Sequence, residues 1–208
     1  MIRFHRSGRT SRTSNKRQAM IAPVITQVLT SPGLRLEDFV SDLSKPLAAA
    51  ALAGTVATDV IEGVTATPLI GNHDERGSLF ELLTTRDGPI EPIVHVYQVV
   101  AAPGSIRAWI YHRRQYDRLA FTMGNFEVAL YDARPGSRTE SRLNVFAVGA
   151  EQPCLLRIPP FVIHGVRNAG AEWGYFVNLP TNVYDRNVPD KARLPYDDPR
   201  IPYVFDAR

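Results

Sequence analysis

The sequence predicts an all-β fold, a sandwich or a closed barrel, in residues 66–208. From Thr67 onward, apolar residues recur with a period of two, which is typical of strands that bury one face. The apolar runs are short and are separated by Gly, Pro, Asn and Asp, so the chain has no room for helical crossovers between parallel strands. The eight predicted strands are residues 78–83, 93–100, 106–112, 119–123, 126–131, 143–148, 154–158 and 173–179.

Glycine and proline mark the predicted turns between these strands. Pro103-Gly104 precedes one predicted strand, and Gly124-Asn125 lies between two others. The final segment, residues 184–205, is dense in Pro, Asp and Arg and has little apolar periodicity. We therefore expect it to form a loop over the mouth of the barrel.

Charge and periodicity divide the N-terminal part of the chain in two. Residues 1–22 hold six Lys or Arg and no acid, whereas the remaining residues hold 18 basic and 21 acidic side chains, a net charge of −3. This composition predicts a disordered basic tail at 1–22. Leu36, Phe39 and Val40 recur at helical spacing before an Ala-rich stretch, which predicts a helical extension over residues 23–65.

The sequence favours a soluble cytoplasmic protein. No stretch reaches the roughly 18 consecutive apolar residues of a membrane span. Cys154 is the single cysteine, so it has no disulfide partner within the chain, which fits a reducing compartment. We expect a small-molecule ligand, with no nucleic-acid or membrane partner.

Two spaced patterns within the predicted strands resemble the signatures of the cupin superfamily. The first is matched with isoleucine in place of the first His and aspartate in place of Glu, by Gly104, Ile110, His112, Asp117 and Gly124. The second is matched by Pro159, His164 and Asn168, with Phe161 where glycine is usual. The resemblance implies that residues 66–208 form a cupin jelly-roll β-barrel.

Four motifs, in order, resemble one cupin branch, the dTDP-4-dehydrorhamnose 3,5-epimerase family. They are Asp-Glu-Arg-Gly with Phe-Glu in residues 74–81, Pro-Gly-Ser-Ile-Arg in 103–107, Ile-Pro-Pro with His-Gly in 158–165, and Asp-Asp-Pro in 197–199. The resemblance covers about residues 66–205. It implies a nucleotide-linked 4-keto-6-deoxyhexose as substrate.

The reaction that the resemblance implies removes a proton from a carbon next to a keto group and returns one on the opposite face. It needs a base, an acid and a donor to the enolate oxygen. The family pattern assigns Tyr175 as the acid, Asp198 as the residue that steadies the base, and His164 as a second active-site histidine. It assigns Arg76 and Arg107 to the nucleotide phosphates, which suits the planar guanidinium.

The family's catalytic histidine is missing, because its position is occupied by Ile110. Residues two apart on a strand face the same way, so His112 is expected to point into the same cavity and to be the surviving base. The related 3,4-ketoisomerases carry histidine at both positions. Asp117 stands where the family has a lysine that polarises the keto oxygen, and Gln115 and Asp117 are expected to line the mouth.

Other interpretations of the same residues stay open. The protein could be an inactive relative that binds a sugar nucleotide without turnover, or a metal-binding cupin that uses His112, Asp117 and His164 as ligands. The histidines could also be hydrogen-bonded barrel residues, and Tyr175 a wall of the core. The family resemblance implies no metal and no cofactor, and it implies a homodimer in which an N-terminal strand crosses to the partner's sheet.

Overall fold

The computed structural model describes residues 60–86 and 88–206, and every regular element in these ranges is a β-strand. The predicted tail at 1–22 and most of the predicted helical extension lie outside them. The described end of that extension is not helical, because Gly63 adopts a positive φ of 84° in a turn and β1 begins at Thr65. Among the described residues no helix is long and apolar enough to cross a membrane.

Twelve strands make up the described chain. They are β1 (Thr65–Pro68), β2 (Gly71–Asp74), β3 (Gly77–Phe80), β4 (Tyr97–Ala101), β5 (Ile106–His112), β6 (Asp117–Met123), β7 (Asn125–Asp132), β8 (Leu143–Gly149), β9 (Cys154–Ile158), β10 (Val162–Asn168), β11 (Gly174–Asn178) and β12 (Lys191–Arg193).

Two five-stranded antiparallel sheets form the body of the protein. One has the order β1-β9-β6-β11-β4 and the other the order β12-β5-β10-β7-β8, while β2 and β3 form a separate hairpin. Apolar side chains from both sheets meet in the core, where the rings of Phe121, Phe126 and Phe176 lie 4.9–5.6 Å apart. This is the two-sheet jelly roll of a cupin, and the predicted fold class is confirmed.

The C-terminal segment covers the outer face of the second sheet. Ile201 and Phe205 are buried there against Trp109, in an apolar cluster separate from the main core. The indole of Trp109 also donates a hydrogen bond to the backbone oxygen of Tyr196 at 3.0 Å. The prediction of a loop throughout 184–205 is wrong for residues 191–193, which pair with β5 as β12.

Each of the eight predicted strands overlaps a strand of the structure, and four strands were missed. The missed strands are β1, β2, β10 and β12. Strand β10 carries His164, Arg167 and Asn168 among its seven residues, so its sequence lacks an apolar run although all three side chains are buried. Periodicity alone does not detect a strand whose inward side chains are polar.

Candidate active site

A cavity of about 320 Å³ lies between the two sheets. Its apolar lining includes Val99, Leu119 and Phe176 from the first sheet and Ile110 and Val166 from the second. Its polar lining is formed by Tyr97, Arg107, Asp117, His164, Asn178, Lys191 and Arg193. The cavity thus combines apolar walls with titratable groups, as enzyme sites commonly do.

A second cavity of about 260 Å³ adjoins the first, because Tyr97 and Lys191 line both. His112, Gln115 and Asp190 line this second cavity. The two histidines predicted to be in the active site therefore face different cavities, with Asp117 between them.

Asp117 is the centre of the polar network. Its Oδ2 lies 3.3 Å from His112 Nε2 and 3.2 Å from His164 Nε2. Its Oδ1 accepts hydrogen bonds from the side-chain amides of Gln115 at 2.6 Å and Asn178 at 2.9 Å. Burial disfavours the charged carboxylate, but the two imidazoles outweigh this effect and hold the pKa of Asp117 well below its usual value.

The two imidazoles have different partners. His164 Nδ1 contacts the backbone oxygen of Val162 at 3.0 Å. His112 Nε2 contacts the side-chain amide nitrogen of Gln115 at 3.4 Å, and its Nδ1 lies 3.6 Å from Asp190 Oδ2. Both rings are almost completely buried, and their centroids are 6.1 Å apart.

A tyrosine hydroxyl joins this network from β4. Tyr97 accepts a hydrogen bond from the side-chain amide of Asn178 at 2.8 Å. Burial, and then the negative charge of Asp117, raise the pKa of Tyr97 above its usual value. The phenol therefore stays protonated near neutral pH and is available as an acid.

Three cationic side chains line the first cavity: Arg107 from β5, and Lys191 and Arg193 from β12. Burial lowers the pKa of Lys191, and the nearby charges of Arg193 and Arg107 lower it further. Antiparallel pairing places Lys191 opposite His112 and Arg193 opposite Ile110. Such a group of cations suits a diphosphate.

The structure brings together five of the residues singled out from the sequence: His112, Gln115, Asp117, His164 and Arg107. His112 and Ile110 lie two residues apart on the same strand and face inward as neighbours, at the walls of the adjoining cavities.

Three other predicted site residues lie elsewhere in the described chain. Tyr175 alternates along β11 with the cavity residues Phe176 and Asn178, so it faces the other side of the sheet. Asp198 is held by Arg200 through two side-chain hydrogen bonds. Neither residue is among those that line the two cavities, and their assignments as acid and as partner of the base stay predictions.

Arg76 is also away from the cavity within one chain. It lies at the turn of the β2–β3 hairpin, where it pairs with Asp74, and its side chain is 83% exposed. An arginine at the tip of an exposed hairpin reaches a phosphate site only if that hairpin meets another molecule.

Sequence reasoning missed Tyr97, Asn178, Asp190 and Lys191. Tyr97 and Asn178 lie inside predicted strands, and their inward direction is a signal that strand alternation could have supplied. Asp190 and Lys191 lie in the segment predicted to be a loop, so their sequence context held no such signal. The fold and the site together define a cupin of the sugar-nucleotide epimerase or isomerase class.

Comparison with curated proteins supports this class. The spore coat polysaccharide biosynthesis protein SpsL of Bacillus subtilis is 33% identical over 148 residues, which cover 71% of this chain and 98% of SpsL. The probable low-salt glycan biosynthesis epimerase Agl13 of Haloferax volcanii is 37% identical over 129 residues, covering 61% of this chain and 82% of Agl13. No family model matches the chain.

Solved structures show the same fold. A dTDP sugar isomerase from Desulfovibrio desulfuricans G20 superimposes with a TM-score of 0.66 at 26% identity, over 71% of this chain and 95% of that one. The dTDP-4-dehydrorhamnose 3,5-epimerase of Bacillus anthracis superimposes with a TM-score of 0.63 at 15% identity, over 73% and 91%. This chain belongs to the dTDP-4-dehydrorhamnose 3,5-epimerase family.

Proposed function

We propose that this protein binds a dTDP-linked 4-keto-6-deoxyhexose and moves a proton on the carbon next to its keto group, as an epimerase or an isomerase. One observation carries the proposal: a buried group of two imidazoles and a carboxylate, formed by His112, Asp117 and His164, borders a cavity that three cations also line. Perturbed titratable groups that converge on a cavity are typical of enzyme sites.

The cavity offers each kind of group that the reaction requires. Arg107 and Arg193 suit the diphosphate, and the apolar wall formed by Val99, Leu119 and Phe176 suits the methyl group of a 6-deoxysugar. Lys191 is the cation placed to stabilise negative charge on the keto oxygen as the proton leaves. This assignment gives Lys191 the role that the family pattern gives to the lysine replaced here by Asp117.

The test is proton exchange in heavy water. The purified full chain is incubated with dTDP-4-keto-6-deoxyglucose, and the sugar is analysed by mass spectrometry and NMR. We expect solvent deuterium at the carbon next to the keto group, with or without a new sugar isomer. Absence of deuterium and of any isomer would exclude the enzymatic function.

The same preparation separates an enzyme from a binding protein. Thermal unfolding with and without dTDP reports binding, because a ligand that binds only the folded state raises its stability. Stabilisation by dTDP without exchange would identify a non-catalytic sugar-nucleotide binder. Absence of both stabilisation and exchange would contradict the proposed ligand.

A divalent cation site is the second candidate. Among the described residues, one donor atom each from His112, Asp117 and His164 lies within 4.8 Å of the other two. Two histidines and one carboxylate suit several divalent transition metals, which would supply Lewis-acid polarisation of the keto oxygen. Elemental analysis of protein purified without a histidine tag distinguishes the candidates, because stoichiometric metal supports this one and its absence excludes it.

A further inference from the structure

We propose that His164 on β10, and not His112 on β5, is the base that takes the proton from the substrate. The inference rests on the proposed function and specifies which atom carries it out. In this chain the base has moved from one strand to its neighbour, so the isoleucine changes where the proton goes rather than abolishing its transfer.

The register of the second sheet places the two positions side by side. His164 of β10 is the direct antiparallel partner of Ile110 of β5. Directly paired residues on adjacent strands present their side chains to the same face. Both side chains line the larger cavity, so an imidazole lies next to the position that the missing histidine would occupy.

His112 lies in a different environment. It lines the smaller cavity, where Gln115 contacts its Nε2 at 3.4 Å and Asp190 Oδ2 lies 3.6 Å from its Nδ1. His112 therefore borders the smaller cavity and is absent from the lining of the larger one. This ring is suited to supporting Asp117 rather than to meeting the sugar.

The hydrogen bonding of His164 selects the tautomer that a base requires. A backbone oxygen only accepts hydrogen bonds, so the contact with Val162 at 3.0 Å assigns the proton to Nδ1 and leaves the lone pair on Nε2. His164 is 3% exposed, and its Nε2 makes no hydrogen bond with the described residues. The ring is therefore buried at the wall of the larger cavity, and Asp117 Oδ2 lies 3.2 Å from its Nε2.

Asp117 supplies the charge that proton transfer to His164 requires. Its Oδ2 lies 3.2 Å from His164 Nε2, where a carboxylate stabilises the imidazolium that forms. Gln115 and Asn178 hold the other carboxylate oxygen in place. Asp117 therefore acts on the base as a positioning and charge-stabilising residue.

The reaction then follows a balanced path. The C–H bond next to the keto group breaks, its proton moves to His164 Nε2, and its electron pair forms the C=C bond of an enolate. Tyr97 gives its hydroxyl proton back to carbon, the ketone re-forms, and exchange with water restores both side chains. Tyr97 belongs to the first sheet and His164 to the second, so proton removal and return occur from opposite walls, as inversion at carbon requires.

The test compares two matched variants, His164→Gln and His112→Gln, in the heavy-water exchange assay. We expect His164→Gln to lose at least about 100-fold in exchange rate, because it removes the base. We expect His112→Gln to lose about tenfold or less. Thermal stabilisation by dTDP is measured for both, so that a variant that fails to fold or to bind is recognised.

If the glutamine substitution disturbs the fold, an alanine variant with added imidazole provides a second test of the base. His164→Ala leaves a gap in the cavity wall, and added imidazole is expected to restore part of its exchange rate. Added imidazole that restores His112→Ala instead would overturn the assignment.

Other outcomes contradict the inference separately from the proposed function. Exchange that persists in His164→Gln but is lost in His112→Gln assigns the base to His112. Wild-type exchange that is lost with EDTA and restored by a divalent metal shows a metal-dependent reaction and overturns the assignment of His164 as a metal-free base. Absence of exchange in the wild-type protein contradicts the proposed function itself.

Discussion

At the scale of single residues, an isoleucine lines the cavity where the family pattern has a histidine. Ile110 lies directly opposite His164 and on the same strand as His112, so a vacant base position is flanked by two imidazoles. Asp117 and Tyr97, to which the proposed mechanism gives roles, line the same cavity. In that mechanism the isoleucine replaces one side chain of the site, and the other groups remain.

Restoring the histidine tests this description of the cavity. We expect Ile110→His to raise the exchange rate at least about tenfold, because a second base would point into the larger cavity, where the substrate is proposed to bind. Ile110→Asn is the matched control, since it adds a polar group that cannot accept a proton at neutral pH. Equal rates for the two variants would show that position 110 does not meet the substrate.

The sequence motifs predicted three of the residues that the structure brings together. The motifs singled out His112, Asp117 and His164, and all three contribute to the network. The motifs also predicted Tyr175 as the acid, but this residue pairs with Val100 and is absent from the lining of both cavities. Only the fold shows that Tyr97, on the neighbouring strand, supplies the phenol to the cavity.

At the scale of elements, the turn between β9 and β10 determines how His164 enters the cavity. Phe161 occupies this turn with a positive φ of 63°, a conformation that favours glycine. Its N–H donates to the backbone oxygen of His112 at 2.7 Å, and its ring stacks on Tyr111. The turn therefore links the two strands that carry the histidines.

Substitutions at Phe161 measure the strain in this turn. Phe161→Gly and Phe161→Ala both remove the ring, but only alanine keeps a Cβ atom at positive φ. We expect the glycine variant to be more stable than the alanine variant by about 1 kcal/mol. Denaturant unfolding of the pair measures the difference, and equal stabilities would contradict a strained backbone at this position.

A second element links the start of the described chain to the β7–β8 loop. Asp132 is completely buried and accepts hydrogen bonds from the Arg134 guanidinium and from the hydroxyls of Ser137 and Thr139. Arg134 in turn donates to the backbone oxygen of Glu62. The β7–β8 loop is therefore hydrogen-bonded to the segment that precedes β1.

We expect Asp132→Asn to lose about 3 kcal/mol of unfolding free energy at pH 7, because a buried charge-assisted network loses its acceptor. Burial opposes ionisation, but Arg134 and the hydroxyls outweigh it and lower the pKa of Asp132 below its usual value of 3.8. The stabilisation is therefore full above that value and is lost as the pH falls below it. The difference in unfolding free energy between wild type and Asp132→Asn should therefore decrease as the pH falls below 3.8.

Denaturant unfolding between pH 7 and pH 3 checks this prediction. Asp185→Asn is the control, since Asp185 is exposed and bonds only nearby backbone groups among the described residues. We expect the control to change stability by less than about 0.5 kcal/mol. A constant difference between Asp132→Asn and wild type across this range would exclude the buried carboxylate as its cause.

At the scale of the whole molecule, the β2–β3 hairpin forms its own sheet and carries Arg76 away from the cavity. The family resemblance assigns Arg76 to nucleotide phosphates and implies a homodimer with an exchanged N-terminal strand. We therefore propose that the hairpin of one subunit meets the cavity of the other. Light scattering is expected to give twice the mass of one chain.

Mixing two defective variants tests whether the sites are shared between subunits. Arg76→Gln and His164→Gln should each lower exchange. When the two are co-expressed, a mixed dimer contains one site with both wild-type side chains, and part of the activity should return. A monomeric protein, or a mixture no more active than its parts, would contradict the shared site.

The sequence by itself determined the all-β fold and singled out His112, Asp117 and His164, because strand alternation and short motifs are local patterns. The tertiary structure alone decided which cavity each histidine faces, which tyrosine lines the larger cavity, and that Lys191 and Arg193 line that cavity from a short strand. These outcomes depend on register shifts and on pairing between distant segments. Neither is encoded in the spacing of neighbouring residues.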